Sequence, residues 1–291
     1  MRQLTRPSLL GLALTSLLVS GTVWAYSVGL TGSQQVIRWN QTNLTYYTHP
    51  ACSDDMPQQQ CMNAVHASFQ AWLGPACANV TFQHLGDSNN LKLTAIGYNG
   101  NDKNEIAFIE NNQWSFGTYT LGVTAPIFYD DGTIIEADIV MNGYLQTWTA
   151  TGEWNKTDIQ NVLVHEIGHY FGLQHNLGPY DGDDPPTMAP KADPNLKSKT
   201  PNADDLAGLC YLQPNGSHTC TSNDDCPKVV DDGPTGEFYL GQIPCTNGYC
   251  GGQPNDVPAG DAKMGEPCVG NYDCADPLFC QSTGFNFSFI L

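Results

Sequence analysis

The stretch His165-Glu-Ile-Gly-His-Tyr-Phe-Gly-Leu-Gln-His175 places three imidazoles and one carboxylate within eleven residues of a 291-residue chain. On an α-helix, His165 and His169 stand one turn apart on the same face, so both rings can reach one ion with bonds of roughly 2.0–2.1 Å. Glu166 stands beside that face. A carboxylate there is better placed to handle the proton of a metal-held water than to bind the ion, the division of labour that H-E-x-x-H implies. Gly172 can take the left-handed conformation that ends a helix, turning the chain so that His175 supplies a third nitrogen. Gly168, inside the helix, weakens it by roughly 1 kcal/mol relative to alanine and is expected to permit close packing against a neighbour. The spacing therefore predicts a zinc centre held by three histidines, with Glu166 as its catalytic base. His49, His66, His84 and His218 lack such company and are expected to be hydrogen-bonded or partly exposed.

The pattern H-E-x-x-H-x-x-G-x-x-H is the metzincin signature, and the sequence resembles the matrixin branch of that clan. Arg38-Trp-Asn-Gln-Thr-Asn-Leu-Thr-Tyr46 is similar to the first strand of matrixin catalytic domains, Ala137-Asp-Ile-Val-Met-Asn142 to a later strand, and Asp204-Asp-Leu-Ala-Gly-Leu209 to their last helix. Thr187-Met-Ala-Pro190 resembles the Met-turn, which implies that Met188 lies under the metal as a hydrophobic floor rather than as a ligand. These stretches cover about residues 34–212. The resemblance implies an α+β, metzincin-like catalytic domain: a twisted, mainly parallel sheet with an antiparallel edge strand, an active-site helix, the Met-turn and a C-terminal helix. It also implies that Leu121-Gly-Val-Thr-Ala125 is the edge strand along which substrates lie, with Gly122, Val123, Thr124 and Ala125 as substrate-binding positions. An edge strand offers unpaired N–H and C=O groups to an extended peptide, and Pro126 is expected to stop it.

Residues 1–25 carry Arg2 and Arg6, an apolar run over 9–19 and Val23-Trp-Ala25 as a small-residue cleavage site, which reads as a secretory signal peptide. The run is too short to span a bilayer comfortably, and no later stretch approaches the roughly 20 apolar residues a membrane helix needs. The expectation is an exported, extracellular, monomeric protein. Eleven cysteines suit an oxidising compartment. Cys52, Cys61, Cys77 and Cys210 fall in the matrixin-like part, where three pairings are open; Cys52 with Cys61 and Cys77 with Cys210 is preferred. The other seven lie between Cys220 and Cys280. Cys220-Thr-Ser-Asn-Asp-Asp-Cys226, with Cys245 and Cys250, is repeated in outline by Cys268-Val-Gly-Asn-Tyr-Asp-Cys274 and Cys280, so two small disulfide modules are expected. They resemble short cysteine-rich repeats in tails of secreted bacterial proteins. The second module lacks a fourth cysteine, and a truncated sequence is preferred over a spare thiol that caps the zinc. The expected organisation is signal peptide 1–25, protease domain 26–212, linker 213–219, cysteine-rich module 220–250 and an incomplete second module 251–291.

A net charge of −18 disfavours nucleic acid and anionic membrane as partners, since both require positive charge. Asp130, Asp131, Glu136 and Asp138, and separately Asp181, Asp183 and Asp184, lie near glycines and are candidates for structural calcium or for simple solvated faces. Three departures from the family pattern stand out. No histidine lies between His84 and His165, where vertebrate matrixins place the ligands of a second zinc, so one zinc is expected. The propeptide cysteine that locks the family's metal is missing, because the first strand begins soon after the expected cleavage site. Asn176 stands where a serine usually follows the third ligand, and the segment from His175 to Met188 is long.

Residues 36–48 read as a strand and 58–73 as an amphipathic helix with Met62, Val65, Phe69 and Leu73 as core positions. Runs at 80–85, 91–96, 106–109, 121–129 and 134–141 read as strands divided by turns. Asn155 or Thr157 is expected to cap the active-site helix, whose Ile159, Val162 and Leu163 anchor it under the sheet. The implied function is a secreted zinc endopeptidase acting on extracellular proteins through a zinc-bound water activated by Glu166, with the specificity pocket in 189–199. Two competing readings are a non-catalytic zinc-containing binding protein that works through its tail, and a zinc amidase on a non-protein substrate. The presence of Glu166 disfavours the first.

Overall fold

The computed structural model describes residues 26–88, 101–177, 186–191, 199–215, 220–223, 226, 228–233, 236–242, 245–246, 249–250 and 288–290. The elements in chain order are β1 (Ser27–Val28), β2 (Asn43–Thr48), α1 (Gln58–Gln70), β3 (Thr81–Asp87), β4 (Glu105–Ile109), β5 (Gly122–Phe128), β6 (Ile134–Asn142), β7 (Trp148–Thr149), β8 (Thr157–Asp158), α2 (Ile159–Phe171), β9 (Leu173–Gln174), α3 (Ala203–Leu212), β10 (Lys228–Gly233), β11 (Gly236–Gln242), β12 (Cys245–Thr246), β13 (Tyr249–Cys250) and β14 (Ser288–Ile290).

The main sheet has the order β14-β5-β6-β4-β2-β3. The crossover through α1 makes β2 and β3 parallel, and β4 and β6 continue that sense. A short turn over 129–133 reverses β5 against β6, and β14 is antiparallel to β5. Every residue of β4 is buried, as a central parallel strand covered on both faces requires. The fold is thus the mainly parallel α+β sheet expected from the sequence, with one extra strand outside the antiparallel β5. A second sheet, β11-β10-β1-β9, joins the exit of α2 to residues 27–28 and to the β10–β11 hairpin. The pairs β7–β8 and β12–β13 complete the strands.

Helix α2 is buried on nearly every side, the condition of a helix at the centre of a core. On it, Tyr46 stacks on Phe69 with ring centroids 3.8 Å apart, and Phe69 meets Tyr170 edge-on at 6.0 Å. The indole N–H of Trp72 donates to the Val164 carbonyl at 2.9 Å, and that of Trp39 to the Tyr170 carbonyl at 2.8 Å. Both tryptophans therefore bury a large apolar body with its one polar atom satisfied. On the other side of the sheet, Ile109, Trp114, Val123 and Val140 form a smaller cluster.

Several boundaries differ from the sequence reading. The run expected over 36–48 is divided: Val36 bridges Leu30, Arg38 bridges Thr133, and only Asn43–Thr48 joins the main sheet, because Trp39 turns inward between them. Helix α1 ends at Gln70, so the following turn carries Trp72 into the core and leaves Leu73 and Met62 half-buried. Pro126 does not stop β5, which pairs with β6 as far as Phe128. The outer strand β14 reaches only Thr124, so the proline lies where the outer edge has no partner among the described residues, a place a strand tolerates it. The strand expected at 91–96 lies outside the described residues.

Disulfides Cys52–Cys61 and Cys77–Cys210 form as preferred, the second linking positions 133 residues apart. Cys220 pairs with Cys245, and Cys226 is also disulfide-bonded. Among the described residues no helix is long and apolar enough to cross a membrane.

Candidate metal centre

Helix α2 starts at Asp158, whose Oδ1 accepts from the Asn161 N–H at 3.0 Å while Oδ2 takes the Lys199 ammonium at 2.6 Å. This corrects the expected cap: Asn155 has a left-handed φ of 60° in the preceding turn, and Thr157 pairs in β8. Ile159, Val162 and Leu163 are fully buried, as expected. The helix ends on Gly172 at φ 105° and ψ 6°, with a Cβ there directed into the Ile37 carbonyl. Glycine alone suits both the angle and the space. The short β9 then returns the chain to His175.

This geometry brings the three imidazoles together. Nε2 of His169 lies 3.0 Å from Nε2 of His165, and Nε2 of His175 lies 3.1 Å from each. All three side chains are buried. The His165 Nδ1–H donates to the Thr187 carbonyl at 2.6 Å and the His169 Nδ1–H to the Leu173 carbonyl at 2.8 Å. Those bonds fix the proton on Nδ1 and leave the lone pair on Nε2. Burial first, and the neighbouring ring of His175 second, push His165 down to about 3. Burial and both neighbouring rings likewise hold His169 well below the ordinary histidine range. Two acceptors facing one another, as Nε2 of His165 and Nε2 of His169 do, cannot satisfy each other, and such a set suits a cation. The trio can hold a metal ion.

The floor is built from two glycine- and acid-dependent contacts. A Cβ on Gly168 would collide with Sδ of Met188 and come within 3.3 Å of Trp72, so the close packing expected of this glycine is that of the helix on the Met-turn. Met188 is buried. Its N–H and that of Thr187 donate to the Asp205 carboxylate at 3.2 and 3.0 Å, as does the Asn202 N–H at 2.8 Å. The Met188 carbonyl accepts from the Asn176 N–H at 2.7 Å, and Asn176 Nδ2 donates to Asp204 at 2.8 Å. Asn176, next to His175, therefore ties that end of the chain both to Met188 and to α3. Burial and the adjacent Asp204 push the Asp205 carboxyl above the ordinary carboxylate range. Sequence reasoning missed this anchoring role, although Asn202-Ala-Asp-Asp205 carries the helix-start spacing that could have exposed it.

Glu166 is fully buried. Its Oε2 accepts from the Thr124 hydroxyl at 2.6 Å, and its Oε1 has no hydrogen-bond partner among the described residues. Burial pushes the carboxyl up to about 8, with the Thr124 hydrogen bond acting in the opposite direction. A Cβ on Gly122 would lie 2.7 Å from Oε1. Val123 points the other way, into the cluster with Ile109, Trp114 and Val140, and Ala125 is half-buried. The side chains of 122–124 thus lie inside, and their outer backbone edge carries β14 in the register Thr124↔Ser288, Val123↔Phe289, Gly122↔Ile290. The edge read as open is occupied by the chain itself.

The remaining candidates separate cleanly. His66 Nδ1 pairs with the Tyr46 hydroxyl at 2.7 Å, His84 Nε2 with the Thr48 hydroxyl at 3.0 Å, and His49 Nδ1 accepts from the Ala51 N–H at 3.3 Å. His218 lies outside the described residues, as do Asp181, Asp183, Asp184 and most of the 189–199 pocket segment. The acidic group proposed for calcium is not one group. Asp130 takes the Ser33 hydroxyl, and Asp131 accepts the Thr133 N–H at 2.8 Å within its own turn. Glu136 and Asp138 instead lie near Glu105, whose N–H donates to Asp138 at 2.8 Å. Among the described residues the only other converging set besides the histidines is Cys220, Cys226 and Cys245, and these cysteines are disulfide-bonded. Among the described residues no three carboxylates converge as the histidines do.

A profile of the Matrixin family matches residues 38–212. The chain belongs to the matrixin family. A relative, Metalloendoproteinase 1-MMP of Arabidopsis thaliana, is 24% identical over 183 residues, 60% of this chain and 44% of that protein, so the match spans less than half the relative's length. Matrixins use zinc, and the histidine trio is the group here that can bind a metal. Membership supports a metalloprotease-type domain.

Proposed function

We propose that this matrixin is a secreted, monomeric zinc endopeptidase that hydrolyses peptide bonds of extracellular proteins. The observation that carries the reading is three converging Nε2 atoms, 3.0 and 3.1 Å apart, beside a buried carboxylate with one oxygen tied and the other without a partner among the described residues. His165, His169 and His175 hold the ion, and Met188 closes the floor. Zinc, when bound, supplies a Lewis acid that polarises a carbonyl and lowers the pKa of water to roughly 7. Glu166 takes the proton of the attacking water as the new C–O bond forms, then delivers it to the departing amine as the C–N bond breaks. The backbone of residues 122–125 aligns the substrate as an added strand. The seating of residues 288–290 on that edge supports this, since it shows the edge accepting an added strand. Secretion is supported by the signal-like residues 1–25 and by the disulfides, which persist in oxidising compartments.

The test is cleavage of casein and of quenched peptides by the purified chain, with and without a chelator. Activity should vanish on chelation and return with zinc. Glu166→Ala should retain zinc and lose at least about a thousandfold in kcat, on the scale of losing a principal catalytic group. A Glu166→Ala variant with undiminished turnover would refute the assignment, and turnover of small amides but not of peptides would move the enzyme to another substrate class.

A further inference from the structure

We infer that Thr124 is a positioning residue for Glu166, and that Gly122 keeps the space in which that carboxylate works. The inference rests on the reading of Glu166 as the base. Gly122 and Thr124 stand two residues apart on β5 and so share the face turned toward α2. The Thr124 hydroxyl reaches two oxygens of one residue, Glu166 Oε2 at 2.6 Å and the Glu166 carbonyl at 3.0 Å. A hydroxyl has one proton, and the nearer, more basic oxygen takes it. The bond fixes the carboxylate by one oxygen and leaves Oε1 without a protein partner among the described residues. Gly122 contributes the complementary feature. Any side chain there would meet Oε1 at 2.7 Å and Cγ at 2.9 Å, displacing the carboxylate. The strand that aligns the substrate thereby also orients the base, so peptide bond and proton acceptor are registered by one element. None of this is visible in the eleven-residue motif, because the partners lie 42 positions apart.

Thr124→Val, which keeps the shape and removes the hydroxyl, should lower kcat about 10- to 100-fold with KM and zinc stoichiometry unchanged, the range seen when a supporting hydrogen bond is lost. Thr124→Ser should restore kcat to within about threefold. In a Glu166→Ala background, Thr124→Val should cause no further loss. A second readout needs no catalysis: Thr124→Val should lower the urea midpoint of the metal-free protein more when Glu166 is present than when residue 166 is alanine, where the hydroxyl keeps only the backbone carbonyl of that residue. Unchanged kcat in Thr124→Val, alongside an inactive Glu166→Ala, would overturn the positioning role while leaving the base intact. An active Glu166→Ala would instead remove the reading beneath it.

A separate observation carries a second inference: residues 288–290 act as an internal occupant of the substrate edge. It rests on the substrate-strand reading above. They pair with Gly122, Val123 and Thr124 antiparallel and in continuous register, so an added peptide and β14 compete for the same backbone groups. The full chain should then be self-inhibited. Replacing Phe289 and Ile290 together by proline, which removes two donors from the strand, should lower KM for a ten-residue peptide several-fold with kcat little changed. A synthetic peptide of residues 284–291 should inhibit that variant competitively. An unaltered KM with competitive inhibition by the peptide would overturn self-occupancy but keep the edge as the substrate site. An unaltered KM with no inhibition would overturn both.

Discussion

At the C-terminal half of α2 three imidazole nitrogens stand 3.0 and 3.1 Å apart, whereas at the start of β4 Glu105, Glu136 and Asp138 lie close together without converging on one point. Glu105 and Glu136 are buried as deeply as the histidines. His165 and His169 on one side, and Glu136 and Asp138 on the other, answer burial in opposite ways. Desolvation disfavours whichever form is charged, so it strips protons from buried bases and keeps them on buried acids. His165 is driven down and offers a lone pair; Asp138 is driven up to about 8 and Glu136 above its ordinary range. Convergence of neutral donors, rather than density of negative charge, is what distinguishes the metal centre in a chain with a net charge of −18.

Substitution in each group gives the largest contrast. His169→Ala should abolish stoichiometric metal and reduce peptide hydrolysis at least about a thousandfold, while Asp138→Asn should preserve both. If Asp138→Asn also released the metal, the two groups would not be independent.

Chelation comes next. A ligand at about a thousand times its dissociation constant stabilises the folded state by roughly 4 kcal/mol. For a chain of this size, removing it should lower the melting temperature by about 10 °C, measured by calorimetry with and without chelator. The same treatment of His169→Ala should cause no shift.

The acidic group predicts a smaller effect with a defined sign. Asp138 titrates near 3.8 when unfolded and near 8 when folded, so the folded chain holds a proton that the unfolded chain releases across that interval. Its stabilising share is complete below about pH 4 and drains away as pH rises toward 8. Asp138→Asn keeps an oxygen to accept the Glu105 N–H and should stabilise the protein by on the order of 3 kcal/mol at pH 8, with little change near pH 4. Parallel melting curves for the two proteins across that range would contradict it. Smallest of all, Asp158→Ala should cost about 1–2 kcal/mol through the lost cap of α2, seen as a lower urea midpoint.

What could be read without the structure was local chemistry with a fixed spacing. His165, Glu166, His169, Gly172 and His175 are linked by helix periodicity and one left-handed turn, so their geometry follows from the order of the residues. The parallel strands were legible as apolar runs between turn residues. The start of α2 was not, because Asn155, Thr157 and Asp158 are all competent caps and only the burial of Ile159 selects the last. That the edge at 122–124 already carries a strand was not legible for a different reason. Strand pairing between residues 122–124 and 288–290 leaves no local pattern, and the same holds for the Thr124 hydroxyl on Glu166 and the Asp205 carboxylate under the Met-turn. The acidic residues grouped for calcium are neighbours in sequence, but Asp130 accepts the Ser33 hydroxyl through Oδ2 and Asp131 the Thr133 N–H within its own turn, so each faces its own local donor.

The most direct measurement of the account is X-ray absorption at the zinc edge on the purified, folded protein, with elemental analysis of the same sample. One zinc per chain, with a first shell dominated by imidazole nitrogens at roughly 2.0–2.1 Å, is the predicted result. Folded protein without stoichiometric metal, or a zinc shell made of sulfur, would contradict it.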